Sequence, residues 1–144
     1  MSLVRRLLAR RRELPLVVEA TLWLLVAWLV LSLLPFQRIA PLLRPRVRAR
    51  EGGDDTIERV RWAVTAAARR VPWPAVCFHQ GIAAQRLLAR RGIATTLRFG
   101  VRRDEGESGG GVESHVWAIA DGRTVVGGEA AAHFEPLADF HSLP

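Results

Sequence analysis

The chain of 144 residues carries a formal net charge of +7, and 49% of its residues are hydrophobic, which suits one small domain with an apolar core. All 21 of its Lys and Arg positions are Arg, and this balance is compatible with nucleic acid, anionic lipid or an acidic peptide as a partner. Zinc-finger spacing, RNP-type motifs and basic dimerisation helices are missing, so the sequence does not indicate nucleic-acid binding. The single Cys excludes an internal disulfide and fits the reducing cytoplasm.

The N-terminal part of the chain combines a basic start with a long apolar run. Met1–Glu13 is rich in Arg, and the run Leu14–Phe36 that follows is apolar on all sides. Pro15 suits the start of a helix and Pro35 its end. The uncharged part of the run, Ala20–Gln37, is near the lower limit of ~17–25 residues for a helix that spans a membrane.

Three interpretations of this apolar run remain open. A signal peptide would need small residues for cleavage at the end of the run, and these are missing. A membrane-spanning helix would have Arg equally dense on both flanks, so the charges give no orientation. The third interpretation is a helix that lies on a membrane or packs against the domain or a partner.

An Arg- and Pro-punctuated connection, Gln37–Gly53, follows the run. It is either a solvated linker or a contact for anionic lipid headgroups, worth ~1 kcal/mol per basic residue. We therefore divide the chain after residue 53, with the basic N-terminus, the apolar helix and the linker in residues 1–53 and the main domain in residues 54–144.

The first helix of the main domain begins at an Asp and ends before two prolines. Asp54 or Asp55 caps this helix, which extends to about Arg70 with an apolar side and an Arg-rich side. Pro72 and Pro74 then fix the backbone and prevent another helix until after them.

The second helix carries the only cysteine of the chain. It begins near Cys77 and ends at Gly92, which suits the C′ position. Cys77 therefore lies in the first turn, where unpaired N–H groups and the helix dipole favour the thiolate. A lone Cys is otherwise most often a small buried apolar residue, so this position alone does not establish a nucleophile.

A small antiparallel sheet is predicted after this helix. Alternating residues indicate three strands, Ala94–Arg103, Val112–Ala120 and Arg123–Gly128. The polar, Gly-rich segment Asp104–Gly111 is predicted as a flexible loop, and Asp121-Gly122 as a hairpin turn. Residues 130–144 are predicted as a tail, with Phe134 and Phe140 available to close the core.

One histidine of the second strand is a candidate catalytic base. His115 shares a strand face with Trp117 and Ile119 and should point toward the element that covers the sheet, for which the Cys77 helix is the obvious candidate. This would bring an imidazole toward the thiol, the arrangement that activates a Cys nucleophile. An inward histidine is otherwise often a satisfied core residue.

The group that would orient this imidazole is less clear. Asp121 lies in the turn, ~20 Å along the strand from His115, and is predicted only to form the turn. A two-residue turn places Gly128 opposite His115, whereas a three-residue loop places Glu129 there. Glu129 is therefore the candidate orienting residue.

Metal and cofactor sites are not indicated by the sequence. His79, His133 and His141 are not spaced with Cys77 as a zinc site, and we predict no metal and no cofactor. His79 is on the Cys77 helix and could line the cleft, but a surface position is the preferred prediction.

Taken together, several segments resemble the transglutaminase-like leader peptidases of lasso peptide biosynthesis. The segments are Cys77 with the helix end Leu87–Ile93, the strand Leu97–Asp104, Ser114-His-Val-Trp117, Asp121-Gly-Arg123, and the helix end Leu34-Pro-Phe36. The resemblance implies an α+β, papain-like core with a Cys at a helix N-terminus against a small antiparallel sheet, and makes residues 54–144 a cysteine protease domain. That domain would cut the leader from a ribosomally made precursor.

The resemblance also implies residue roles and partners. The family's Cys and His match Cys77 and His115, whereas Gly-Gly-Glu stands where the family's Asp is usual, so the third role falls to Glu129 or is unfilled. Many relatives carry a leader-binding domain in the same chain, and these 144 residues are expected to have no room for one. A small separate leader-binding protein and an ATP-dependent lasso cyclase are therefore the expected partners. A catalytically weak or inactive membrane-associated binding module and an amide-forming transferase of the same fold remain as alternatives.

Overall fold

The computed structural model describes residues 3–48, 54–103 and 110–144, and only the backbone of residues 3–10 and 54. The helices are α1 (Leu3–Leu33), α2 (Phe36–Ile39), a 3₁₀ helix (Ala40–Leu43), α3 (Asp54–Ala68), α4 (Cys77–Arg90) and α5 (Gly128–Ala131). The strands are β1 (Thr96–Arg103), β2 (Val112–Ala120), β3 (Arg123–Val126) and β4 (Glu135–His141). They form one antiparallel sheet in the order β3-β2-β1-β4. The helix α4 lies beside this sheet and begins at the cysteine, as predicted.

The first helix is longer than the apolar run. Pro15 lies inside α1, so the prediction that it starts the helix is wrong. The preceding segment is rich in Leu and Arg, which favour helix, and the rest of the helix compensates for the one hydrogen bond that a proline removes. The helix ends at Leu33, before Pro35, as predicted.

One stripe of α1 belongs to the core of the domain. Side chains on this stripe are at most 5% exposed and pack with α3 and α4, and they are Leu16, Ala20, Leu24 and Ala27. Among the described helices, Arg11–Leu33 is also long and apolar enough to cross a membrane, a property that buried core helices share. The predicted boundary after residue 53 stays a prediction.

Two carboxylates fix α1 on the domain. Glu13 accepts from Arg59 of α3 at 3.1 Å, and Glu19 accepts at 2.8 Å from both Arg90 and Arg91 at the end of α4. Exposed ion pairs contribute little, about 0–1 kcal/mol each, so the buried stripe supplies most of the stability and these pairs set the orientation.

The helix that carries the cysteine has the predicted limits. It begins at Cys77 after the Pro-rich segment, and Gly92 follows its C-cap with a φ of 76°. This left-handed conformation costs glycine little, which explains why the helix stops there. The preceding helix, α3, begins at Asp54, whose side chain is outside the described residues, and ends at Ala68.

The sheet agrees with the predicted strands except at its ends. The hairpin turn is confirmed, with φ of 51° at Asp121 and 69° at Gly122, but β3 ends at Val126 rather than Gly128. Most of the predicted loop, residues 104–109, is outside the described residues. The predicted tail contains β4, an edge strand paired with β1, where Pro136 is tolerated because an edge strand needs only one set of ladder bonds.

The face of β2 against α4 is the opposite of the predicted one. Val116, Ala118 and Ala120 belong to the core under α4, and a Cβ at Gly81 would be 3.3 Å from Val116 Cγ1. His115 therefore lies on the other face. Small side chains allow the helix to approach closely, and the pattern could not reveal this choice because both alternating sets are apolar from residue 116 onward.

Candidate active site

The first turn of α4 is held by a histidine. Val76 is in an extended conformation, and its N–H donates to His79 Nδ1 at 3.2 Å, so the imidazole serves as the cap acceptor. His79 is buried, not a surface residue as predicted, because its ring turns back over the helix start. Burial lowers the pKa of His79, which keeps the ring in the neutral form that can accept this hydrogen bond.

Cys77 borders an open cleft at this end of the molecule. The cleft has a volume of about 710 Å³, within the range of ~300–1,000 Å³ that is usual for ligand sites. Its walls are α3, the first turn of α4 and the segment 124–130, and the half-buried Cys77 is joined there by His115. Both predicted catalytic side chains thus line one cleft.

A backbone carbonyl fixes the ring of His115. His115 Nε2 lies 2.7 Å from Gly127 O, and a carbonyl oxygen only accepts, so Nε2 is the nitrogen that carries the proton. The neutral imidazole then has its lone pair on Nδ1. The nitrogen able to act as a base is therefore determined by the main chain.

Two aromatic rings hold the same imidazole from its sides. Trp117 is stacked on His115 with ring centroids 5.6 Å apart, and Phe134 contacts it at 5.1 Å. The guanidinium of Arg102 lies 4.7 Å from the centre of the Phe134 ring and extends the stack. Such contacts restrict the rotation of the imidazole ring and thereby help to orient it.

Two glycines make this arrangement possible. Gly127 has a φ of 79°, and a Cβ there would be 2.7 Å from Val116 O, so a side chain would displace the carbonyl that holds His115. A Cβ at Gly100 would be 2.7 Å from Trp117 Cη2 and 3.0 Å from Phe134 Cβ. Each glycine therefore leaves room for a partner of the imidazole.

Strand pairing does not bring the predicted third member opposite the imidazole. The turn has two residues, but β3 has a bulge that pairs Ala118 with Val126, and the chain leaves the sheet before any residue pairs with His115. Gly128 and Glu129 are exposed on α5, which begins there. Glu129 lines the cleft, and its orienting role stays a prediction.

The thiol and the imidazole are not joined directly. Within the described ranges, Cys77 Sγ makes no hydrogen bond to His115. Catalytic hydrogen bonds are often long before substrate binds, so this geometry is compatible with a pair that tightens on the substrate.

Some cleft residues were missed at the sequence level. Gln80 lines the cleft, and its Nε2 donates to Ala75 O at 2.9 Å, whereas Arg69 is exposed at the rim. The spacing of three residues from Cys77 to Gln80 was the available signal, because residues three apart share a helix face. Over the described ranges, no group of three His, Cys, Asp or Glu residues is arranged to hold a metal ion.

Comparison with known proteins identifies the fold. A family model described as the transglutaminase-like superfamily matches residues 21–139, which is most of the chain and includes Cys77 and His115. Searches of curated proteins and of solved structures give no match. The match, together with the mixed helices and small antiparallel sheet, confirms the predicted fold class.

Proposed function

We propose, from the premise that this chain belongs to the transglutaminase-like superfamily, that it is a cysteine endopeptidase that removes the leader from a lasso peptide precursor. The superfamily generally contains cysteine proteases and transglutaminases. The observation that carries the proposal is that Cys77, at the start of α4, and His115, whose protonated Nε2 is held by Gly127 O, line one open cleft.

The first chemical step would form a thioester. Nδ1 of His115 takes the thiol proton of Cys77, and Sγ attacks the carbonyl carbon at the leader–core junction. When the C–N bond breaks, the imidazolium returns its proton to the leaving amine, which becomes the new N-terminus of the core. Water then hydrolyses the thioester, and the leader leaves as a carboxylate.

The oxyanion of each tetrahedral intermediate needs donors near Cys77. The N–H of Cys77 lies in the first turn of α4, where backbone N–H groups have no partner within the helix. Gln80 is the nearest side-chain amide along the helix and supplies a second donor in this proposal. The carbonyl of Gly127 keeps the imidazole in place, and Glu129 is retained as an alternative orienting group.

The proposed activity implies partners of defined kinds. A separate small leader-binding protein would present the precursor, and an ATP-dependent lasso cyclase would use the freed amine. These partners follow from the resemblance to the lasso peptide leader peptidases, whose motifs Ser114-His-Val-Trp117 and Asp121-Gly-Arg123 stand in this chain.

One rival function has an observation in its favour. Within the described part of the chain, His115 makes no hydrogen bond to a carboxylate and none to Cys77, which would suit an inactive binding module. Iodoacetamide separates the two, because an activated Cys77 should react well below about pH 8 and an inert thiol should not. Amine incorporation in place of hydrolysis would instead indicate a transferase.

The decisive experiment combines the full chain, the precursor and the leader-binding protein, with products identified by mass. Wild type should give separate leader and core, and Cys77→Ala should give none while retaining its far-UV spectrum. Cleavage that survives in Cys77→Ala would refute the proposal. A precursor left whole by the wild type, with Cys77 slow toward iodoacetamide, would favour the binding module.

A further inference from the structure

The outward side of α1 presents a continuous apolar surface. Its members recur at steps of three or four residues on the side opposite the packed stripe, and each is between 40% and 76% exposed. We call this surface the outward face of α1, and it consists of Leu14, Val18, Leu22, Val26, Leu29 and Leu33. Proteins in water rarely leave an apolar strip of this length uncovered, so the outward face needs an apolar partner.

Among the described residues, the exposed charged side chains at the two ends of this face are basic. Glu13 and Glu19 are the only acidic residues of α1, and both are paired with Arg side chains of the domain. Arg11 and Arg12 are exposed at the N-terminal end of the face. Beyond its C-terminal end, the exposed basic residues are Arg38, Arg44, Arg46 and Arg48. An apolar strip with cations at both ends complements an anionic lipid surface more closely than an uncharged or basic protein.

A groove beside the outward face extends the apolar surface. It has a volume of about 190 Å³ and runs between α1 and the 3₁₀ helix, where Trp23, Val26 and Leu42 line it. Arg86 lies at its side, donates to Leu42 O and places its guanidinium 5.7 Å from the Trp23 ring. Acyl chains beside anionic headgroups have the matching chemistry.

The packing of α1 decides between crossing a membrane and lying on it. A spanning helix would expose Glu13 and Glu19 and the packed stripe to lipid, at the cost of breaking the core of the domain. A helix that lies in the plane keeps the core and puts both Arg-rich ends at the same headgroup layer. This also explains why the flanking charges give no orientation.

We propose that the outward face of α1 docks the domain on an anionic membrane surface, with α1 parallel to the membrane. The face would enter the headgroup boundary by ~5–10 Å, and the flanking Arg side chains would contact anionic headgroups. This proposal does not depend on the proposed peptidase activity.

The test is sedimentation of the full chain with vesicles of phosphatidylcholine, alone or with about a third of phosphatidylglycerol. Wild type should sediment with the anionic vesicles. The triple variant Val18→Gln, Leu22→Gln, Val26→Gln should have an affinity for these vesicles that is lower by about tenfold or more. The control Leu137→Gln, at a residue 70% exposed on β4, should bind as wild type does. The double variant Arg11→Gln, Arg12→Gln should bind the anionic vesicles more weakly than wild type. Added salt should weaken the binding of wild type in the same way.

Three results would overturn the proposal. The first is equal binding of wild type and the triple variant, with matching far-UV spectra. The second is a wild-type dimer that the triple variant dissociates, without vesicle binding, because the face would then pair with a second copy. The third is retention of the chain on vesicles in alkaline carbonate, which indicates a spanning helix, whereas release supports docking in the plane.

Discussion

The two faces of β2 differ in their surroundings, although each carries apolar residues in its second half. The inner face, with Val116, Ala118 and Ala120, is buried under α4 and contributes to the core. The outer face, with His115 and Trp117, carries the stacked imidazole at the cleft. One strand thus supports stability on one side and the candidate chemistry on the other, so substitutions on its two sides should separate the two properties.

The largest effect is expected for chemistry on the outer face. His115→Ala should lower cleavage of a cognate precursor by about 10³-fold or more, because it removes the proposed base. It should change the free energy of unfolding by only about 1 kcal/mol, since the ring is half-buried. Product mass and urea denaturation measure the two quantities, with exposed His133→Ala as the control. A large loss of stability with cleavage retained would reverse the assignment of the two faces.

The next effect concerns the inner face. Leu97, on β1, is fully buried, and its Cδ2 would be 3.1 Å from a Cβ at Gly81. Leu97→Ala should lower the free energy of unfolding by ~2–5 kcal/mol, because it leaves a cavity under α4. Ile119→Ala, on the outer side of β2, should cost less in the same urea titration. Equal losses at the two positions would contradict the comparison.

A smaller effect should appear where the outer face is tightly packed. Gly100→Ala would push its Cβ into Trp117 and Phe134, and thus tilt the ring stack. We expect a loss of ~1–3 kcal/mol in stability and about a tenfold loss in cleavage rate. The double variant with Trp117→Phe lacks the ring atoms that clash, and should recover part of both losses. Without such recovery, the effect would not act through the stack.

The smallest effect is a dependence of stability on pH. Burial lowers the pKa of His79 below its ordinary value of about 6.5, so the unfolded chain binds more protons below that pH. The free energy of unfolding should be largest above about pH 7 and decrease toward pH 5, by less than ~1.4 kcal/mol per pH unit. His79→Gln keeps an acceptor for Val76 N–H and should remove most of this decrease. An identical pH profile in the variant would show that other groups cause it.

Local signals made most of the fold predictable. The cysteine helix is limited by the backbone preferences of Pro72 and Pro74 before it and of Gly92 after it. The turn at Asp121-Gly122 is the one that these two residues favour. The family resemblance rests on such local segments in a fixed order, and the match over residues 21–139 confirms the superfamily.

Other features depend on contacts that a pattern does not encode. The inner face of β2 is chosen by the close approach of α4, and the bulge in β3 shifts the register that the turn alone would set. The strand β4 lies in the predicted tail, and it includes Pro136, which is disfavoured in a central strand but permitted at an edge. The partner of His115 is a main-chain atom, which no residue type could indicate.

This main-chain partner has a consequence for how the site would tolerate change. The oxygen of Gly127 is present whatever residue occupies the position, so truncating side chains cannot delete it. An alanine scan should therefore find two positions indispensable for turnover, Cys77 and His115, with smaller sensitivities at Gly127 and Gly100 that arise from adding a methyl group. If Glu129→Ala abolished turnover as completely, the Glu129 carboxylate would be the group that orients His115.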